Sequence, residues 1–148
     1  MRLTIELVPL TGWGKNLRSL LKPAEWNRVR QSVYAAANHK CEICGGVGNR
    51  WPVECHEIWD YNDVTRTQRL TGLVALCPNC HMVKHIGLAM VKGRGDVALA
   101  HFAQVNGITE SEAATQVESA FNVWRERSAA AWTLDVSWLV TYNANLPR

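Results

Sequence analysis

No stretch of the sequence approaches the roughly 18 consecutive apolar residues that a membrane-spanning helix requires. Internal repeats and low-complexity tracts are also absent, and neither sign of charge dominates: 16 basic residues face 13 acidic ones, a net +3. A membrane span and a disordered chain are thereby excluded, and charge alone does not call for a nucleic-acid partner. The first residues, MRLTIELVPL, alternate rather than forming the unbroken apolar block of a secretory signal, so the expected setting is cytoplasmic, without a membrane partner. What is present is enough to build a core. Of 148 residues, 47% are hydrophobic and 20% charged, which fits one domain.

Five cysteines stand at Cys41, Cys44, Cys55, Cys77 and Cys80. Four form two CxxC pairs separated by 32 residues, positions 45 to 76. An odd count without an export signal speaks against a disulfide framework. Two CxxC knuckles instead bring four thiolates within reach of one tetrahedral zinc, at about 2.3 Å each. CEICGG and CPNC supply the small and turn-forming residues such knuckles need. The spacer exceeds the roughly 15–20 residues of a simple two-knuckle site, so further structure is folded into it. A structural Zn²⁺ on Cys41, Cys44, Cys77 and Cys80 is the expectation. The rival, a CxxC redox protein, lacks the βαβ context it needs.

The chain divides into residues 1–40, a central 41–90 and a C-terminal 96–148, read as parts of one domain. Residues 2–8 alternate Leu3, Ile5 and Leu7 with polar neighbours, predicting a half-buried strand. Pro23 opens a predicted helix with Trp26, Val29, Val33 and Ala37 on one face. Residues 51–59 and 73–76 read as strands joined through the polar DYNDVTRTQR, a loop or hairpin connection. A helix beginning at Pro78 ends near Gly87, and Lys92 to Gly95 make a turn. Residues 96–105 offer Val97, Leu99, Ala100, Phe102 and Ala103 for packing. Thr109 and Glu112 form a capping box before a long helix to about residue 130. WTLDVSWLV alternates, predicting a strand paired with residues 2–8 in a small terminal sheet. The whole is α+β. Charge is uneven: residues 1–40 carry a net +5 and 96–148 a net −3. A basic segment beside a zinc module suits a phosphate-facing surface.

His81 and His85 are four apart on a predicted helix, so both imidazoles leave one face, a standard way to hold a metal ion. The second knuckle fixes where that helix starts. His56, on the strand entering the same region, reaches toward the same pocket.

CEICGG, WPVECHEIWDY and GLVALCPNCHMVKH together resemble an HNH endonuclease of the ββα-metal type, over about residues 40–88. The resemblance implies a β-hairpin and helix pinching one divalent cation, with the zinc knuckles bracing them and DNA as partner. It places His56 as the general base that activates water, His81 as a helix metal ligand and His85 as the second helix histidine of some members. Such chemistry suits histidine, whose ordinary pKa lies near 6.5, while the cation offsets charge on the phosphate. Cys55 stands where the family has a metal-binding Asp or His. A thiolate there favours a softer ion such as zinc over magnesium, which leaves the second metal open among Mg²⁺, Mn²⁺, Ni²⁺ and Zn²⁺; the alternative is that Cys55 is a bystander and Glu57, Asp60 or a water completes the shell. Gly72 stands where the family has the Asn that orients the base, leaving Asn62 or Gln68 as replacements. Expected cofactors are therefore a structural Zn²⁺ and a second divalent metal, with no small-molecule cofactor. The alternative is a zinc-braced nucleic-acid- or protein-binding module whose site has decayed.

Lys84, Arg94 and Arg18 are candidate phosphate contacts. Trp26, Trp124 and Trp132 occupy core-like positions, whereas Trp13 (with Lys15 and Arg18), Trp51 and Trp59 are candidates for stacking on bases. His101 reads as a packing or surface histidine rather than a ligand.

Overall fold

The computed structural model describes residues 1–12 and 16–147. Trp13 and Lys15, candidates for base and phosphate contact, lie outside the described residues. The fold is α+β. A 3₁₀ turn at Leu10–Gly12 precedes α1 (Leu17–Leu20) and α2 (Pro23–Ala36). Next come the strands β1 (Glu54–Asn62) and β2 (Thr67–Leu76), followed directly by α3 (Pro78–Lys84) and α4 (Ile86–Val91). α5 (Gly95–Asn106) and α6 (Glu110–Ser128) lead to β3 (Thr133–Asp135) and α7 (Ser137–Ala144).

Local chemistry accounts for most of these boundaries. Pro23 and Pro78 occupy first-turn positions, where the missing N–H costs nothing. The capping box expected at Thr109 and Glu112 is present, and α6 begins there. The helix after Pro78 stops at Lys84; His85 leaves the helical conformation (φ −110°, ψ 43°), and α4 carries the chain to Val91, past the end expected near Gly87. β2 is longer than the expected 73–76, and β1 is shifted, starting at Glu54 instead of residue 51 and running on into DYNDVTRTQR. Most of that stretch is paired, and only residues 63–66 turn, with the Asn62 side chain accepting the N–H groups of Val64 and Thr65. Arg66 closes the turn with a positive φ of 56°.

β1 and β2 pair antiparallel, with His56 opposite Val74 and Tyr61 opposite Gln68. The register shifts between Ile58 and Trp59: Ile58 faces Gly72 and Trp59 faces Leu70, leaving Thr71 as a bulged residue. β3 adds to β2 in parallel, Thr67 opposite Thr133.

Two sequence expectations give way here. Residues 2–8 form no strand. Their backbone is satisfied by side chains: Asn106 takes the Leu3 N–H and donates to its carbonyl, and Trp124 Nε1 donates to the Val8 carbonyl. Alternation correctly placed Leu3 inward, but the ladder partner is a helix amide. The C-terminal WTLDVSWLV supplies only the short β3, paired with β2 instead of residues 2–8, and the remainder is helical.

Three apolar clusters hold these pieces together. The largest mixes Leu3 with Leu76 and Val83 and with Ala98 and Phe102 of α5, so all three segments of the chain contribute. A second places Trp26 and Val29 of α2 against Leu70 and Leu139, and a third joins Val33, Val53 and Ala75. On α5 the inward residues are Ala98, Phe102 and Ala103; Val97 and Ala100, expected to pack, face out. Burying each Val or Leu contributes roughly 1.5–3 kcal/mol, so α2 is anchored mainly by its one apolar stripe.

Candidate metal centres

The two cysteine pairs meet. Cys41, Cys44, Cys77 and Cys80 bring their sulfurs within 4.8 Å of one another, and all five cysteines of the chain are free thiols. Cys44 Sγ and Cys77 Sγ are 3.6 Å apart. Four sulfurs at about 2.3 Å from one tetrahedral ion would lie about 3.8 Å apart, so the spacing suits a shared zinc. The first knuckle turns tightly: Gly45 N–H reaches the Cys41 carbonyl with φ at 76°, and Gly46 N–H points at Cys44 Sγ, 3.4 Å away. Gly48 is required by space, because a Cβ there would lie 2.3 Å from the Trp51 carbonyl and 2.7 Å from the Pro78 ring. In the second knuckle Cys80 N–H faces Cys77 Sγ at 3.4 Å.

Without an ion the sulfurs compete for protons. A hydrogen bond from Cys80 holds the Cys41 thiol well below its ordinary range, and giving that bond pushes Cys80 up; burial raises Cys77 to about 11. A divalent cation relieves this competition by taking all four as thiolates. These four residues could hold a zinc ion. His101, expected at the surface or in packing, places Nε2 3.2 Å from Cys80 Sγ, within hydrogen-bonding reach of that sulfur. Nothing in its local sequence announced this, since α5 carries it across from another part of the chain.

The second cluster joins His56 of β1 with His81 and His85, whose donor nitrogens also lie within 4.8 Å of one another. The three ring centroids are 4.7–5.2 Å apart. His81 Nε2 and His85 Nε2 are separated by 3.1 Å. Two nitrogens on one ion at about 2.0–2.1 Å would be roughly 3.0–3.4 Å apart. His56 Nδ1 is buried without a hydrogen-bond partner. An orphaned nitrogen beside two facing imidazoles is what a cation site presents before its ion, so the donor set fits a divalent metal. Burial first, then the neighbouring His81, lowers His56 to about 2 and His85 to about 4. All the chemistry near neutral pH therefore starts from neutral imidazoles at these positions, with lone pairs available.

Glu54 was not singled out from the sequence, yet it organises this centre. One carboxylate oxygen lies 2.6 Å from His81 Nδ1, and the other accepts the Trp51 indole N–H at 3.0 Å. The carboxylate takes the Nδ1 proton and leaves His81 Nε2 as the free donor. The hydrogen bond with His81 holds the Glu54 carboxyl below its usual range. The available signal was period two: Glu54 shares a strand face with His56.

Other expected site residues lie elsewhere. Cys55 alternates to the opposite face of β1 and packs in the apolar clusters with Leu73 and Tyr142. Burial pushes its thiol up to about 12, and it is not among the converging donors. His56, which the resemblance makes the general base, lies with its ring nitrogens within 4.8 Å of those of His81 and His85, in a group that could hold a metal ion. Lys84 is committed within the protein, to Glu6 at 2.9 Å and Thr4 Oγ1 at 3.1 Å, leaving its side chain 10% exposed. Arg94 is exposed at the start of α5, away from the cleft that contains the histidines, whereas Arg18 lines that cleft. Asn62 is spent on the hairpin turn. Gln68 is buried at the same end of the hairpin, about 20 Å of strand from His56, so neither stands in for the missing Asn.

Among the described residues, no helix is long and apolar enough to cross a membrane. Comparison with known proteins returns no match: no family model, no curated protein and no solved structure is significantly similar to this chain.

Proposed function

We propose that the chain is a metal-dependent endonuclease of the HNH type, hydrolysing DNA phosphodiester bonds. The observation that carries this reading is the convergence of three imidazoles between a β-hairpin and the helix that follows it, beside a four-sulfur brace. His56, His81 and His85 would hold a divalent cation. When bound, such an ion supplies charge against the phosphate and lowers the pKa of an attacking water. The protein's own contribution is positional. Glu54 fixes the His81 tautomer, burial keeps His56 unprotonated, and the exposed position of His85 leaves one side of the centre open to substrate. Three histidine donors with an open side resemble catalytic metal sites, whereas the sulfur site resembles closed structural ones.

One observation favours a second reading, a binding module with a decayed centre. If His56 serves as a donor, the converging group offers no further imidazole as base, and neighbouring Glu57 accepts the Leu17 N–H at 3.2 Å. Supercoiled plasmid separates the two. Wild-type protein with Mg²⁺, Mn²⁺, Ni²⁺ or Zn²⁺ should nick it, and His56→Ala and His81→Ala should not. Wild type that is as inert as both variants with every ion leaves only the binding module.

A further inference from the structure

The imidazoles lie in a cleft of about 1610 Å³ that follows β1, the edge strand of the sheet. Residues of α2, including Arg30 and Tyr34, line it on one side, and His85 and Leu88 on the other.

Three properties of its lining converge. First, the carboxylates are engaged and the arginines are not. Glu6 is paired with Lys84, Glu54 with His81 and Trp51, and Glu57 with the Leu17 N–H. Arg18 lies over the Trp26 ring, 6.0 Å from its centroid, and Arg30 donates only to Asn27. Among the described residues, neither arginine has a carboxylate partner. Second, aromatic rings line the same space: Trp51 is 48% exposed, and Trp59 and Tyr34 are part-buried. Third, buried polar groups on this lining, Trp26 Nε1, Tyr61 Oη and Gln68 Nε2, have no hydrogen-bond partner among the described residues.

Free cations spaced among ring faces are how proteins hold unpaired strands, with phosphates on the cations and bases on the rings. A duplex keeps its bases stacked inside and offers no base face to an exposed indole. We propose that the cleft is a track for single-stranded nucleic acid, with bases on Trp51 and Trp59 and phosphates against Arg18 and Arg30. That the track feeds a cutting centre rests on the nuclease reading; the track itself does not.

The test is fluorescence anisotropy with no divalent cation added. The probes are a labelled oligothymidylate of about twenty nucleotides, longer than the roughly 4–16 nucleotides of known single-strand sites, and a duplex of equal length. The single strand should bind tighter. Trp51→Ala should weaken it by about 5- to 150-fold, the usual loss of one stacked base. Trp51→Phe, which keeps the ring but not the N–H to Glu54, should retain most of the affinity. Arg18→Ala and Arg30→Ala should each flatten the log–log salt dependence by about 0.7. Equal or tighter duplex binding, or unchanged binding by Trp51→Ala, overturns the track. Plasmid nicking alongside either result leaves the nuclease standing without it. Strand binding in this pattern with no cleavage by any ion supports the track and removes the nuclease.

Discussion

The two clusters are built from opposite materials for opposite ends. The sulfur cluster is enclosed: Cys41, Cys77 and Cys80 are buried, and backbone N–H groups point at three of its four sulfurs. The histidine cluster is lopsided, with His56 and His81 half-buried and His85 exposed in a cleft. An ion in the first has nowhere to meet a substrate; one in the second does. The difference sets an enclosed centre, suited to bracing the fold, against an open one that a ligand can reach, and each prediction below presses on that division.

The largest effect should come from the sulfurs. Cys80→Ala, or removal of metal by a chelator, takes away binding energy on the order of 10 kcal/mol, comparable to the whole stability of a domain. Circular dichroism should then show no cooperative thermal transition, and a retained transition would break the division. By contrast, His85→Ala or His81→Ala should leave the melt nearly intact while elemental analysis shows the second metal lost and the sulfur-held zinc kept.

Glu54→Gln comes next. Losing the carboxylate behind His81 should weaken the second metal by roughly 10- to 100-fold in a competition titration and leave the sulfur site unchanged. Acid should act on the histidine region of protein that keeps its sulfur-held zinc but carries no second metal. His56 and His85 have folded values of about 2 and 4, below the ordinary value near 6.5, so the unfolded chain takes up protons first. Their contribution is complete above about pH 6.5 and is lost as pH falls toward 4. Denaturant midpoints should drop over that interval, and less so in His56→Ala. The smallest change should follow Cys55→Ala: about 1 kcal/mol of lost packing and no change in either metal. A missing ion in that variant would return Cys55 to the donor set.

What could be read in the sequence was local. CxxC spacing, proline at helix starts and the Thr109 capping box are short-range signals, and the structure has the elements each implies; the four-residue step from His81 to His85 brings the two rings together, although the helix stops at Lys84. Strand alternation placed His56 and Cys55 on opposite faces, but the resemblance drew both toward the metal. The misses are long-range pairings. Residues 2–8 carry a strand's alternation, yet Asn106, more than a hundred positions away, takes their backbone bonds. His101 reaches Cys80, and Lys84 reaches Glu6, only because helices bring distant segments together. A polar run such as DYNDVTRTQR reads as loop until a partner strand exists to accept its backbone.

The interruption at His85 ties the histidine centre to α6, whose Phe121 lines the same cleft. His85 still donates its N–H to His81 and accepts that of Ala89, so it serves as the pivot between two short rods. The second rod is wedged by Ile86 in the main core, and its Gly87 approaches the Phe121 ring of α6. The outermost imidazole is thus seated on a rod held by the core and by α6, a helix that supplies no donor to the centre.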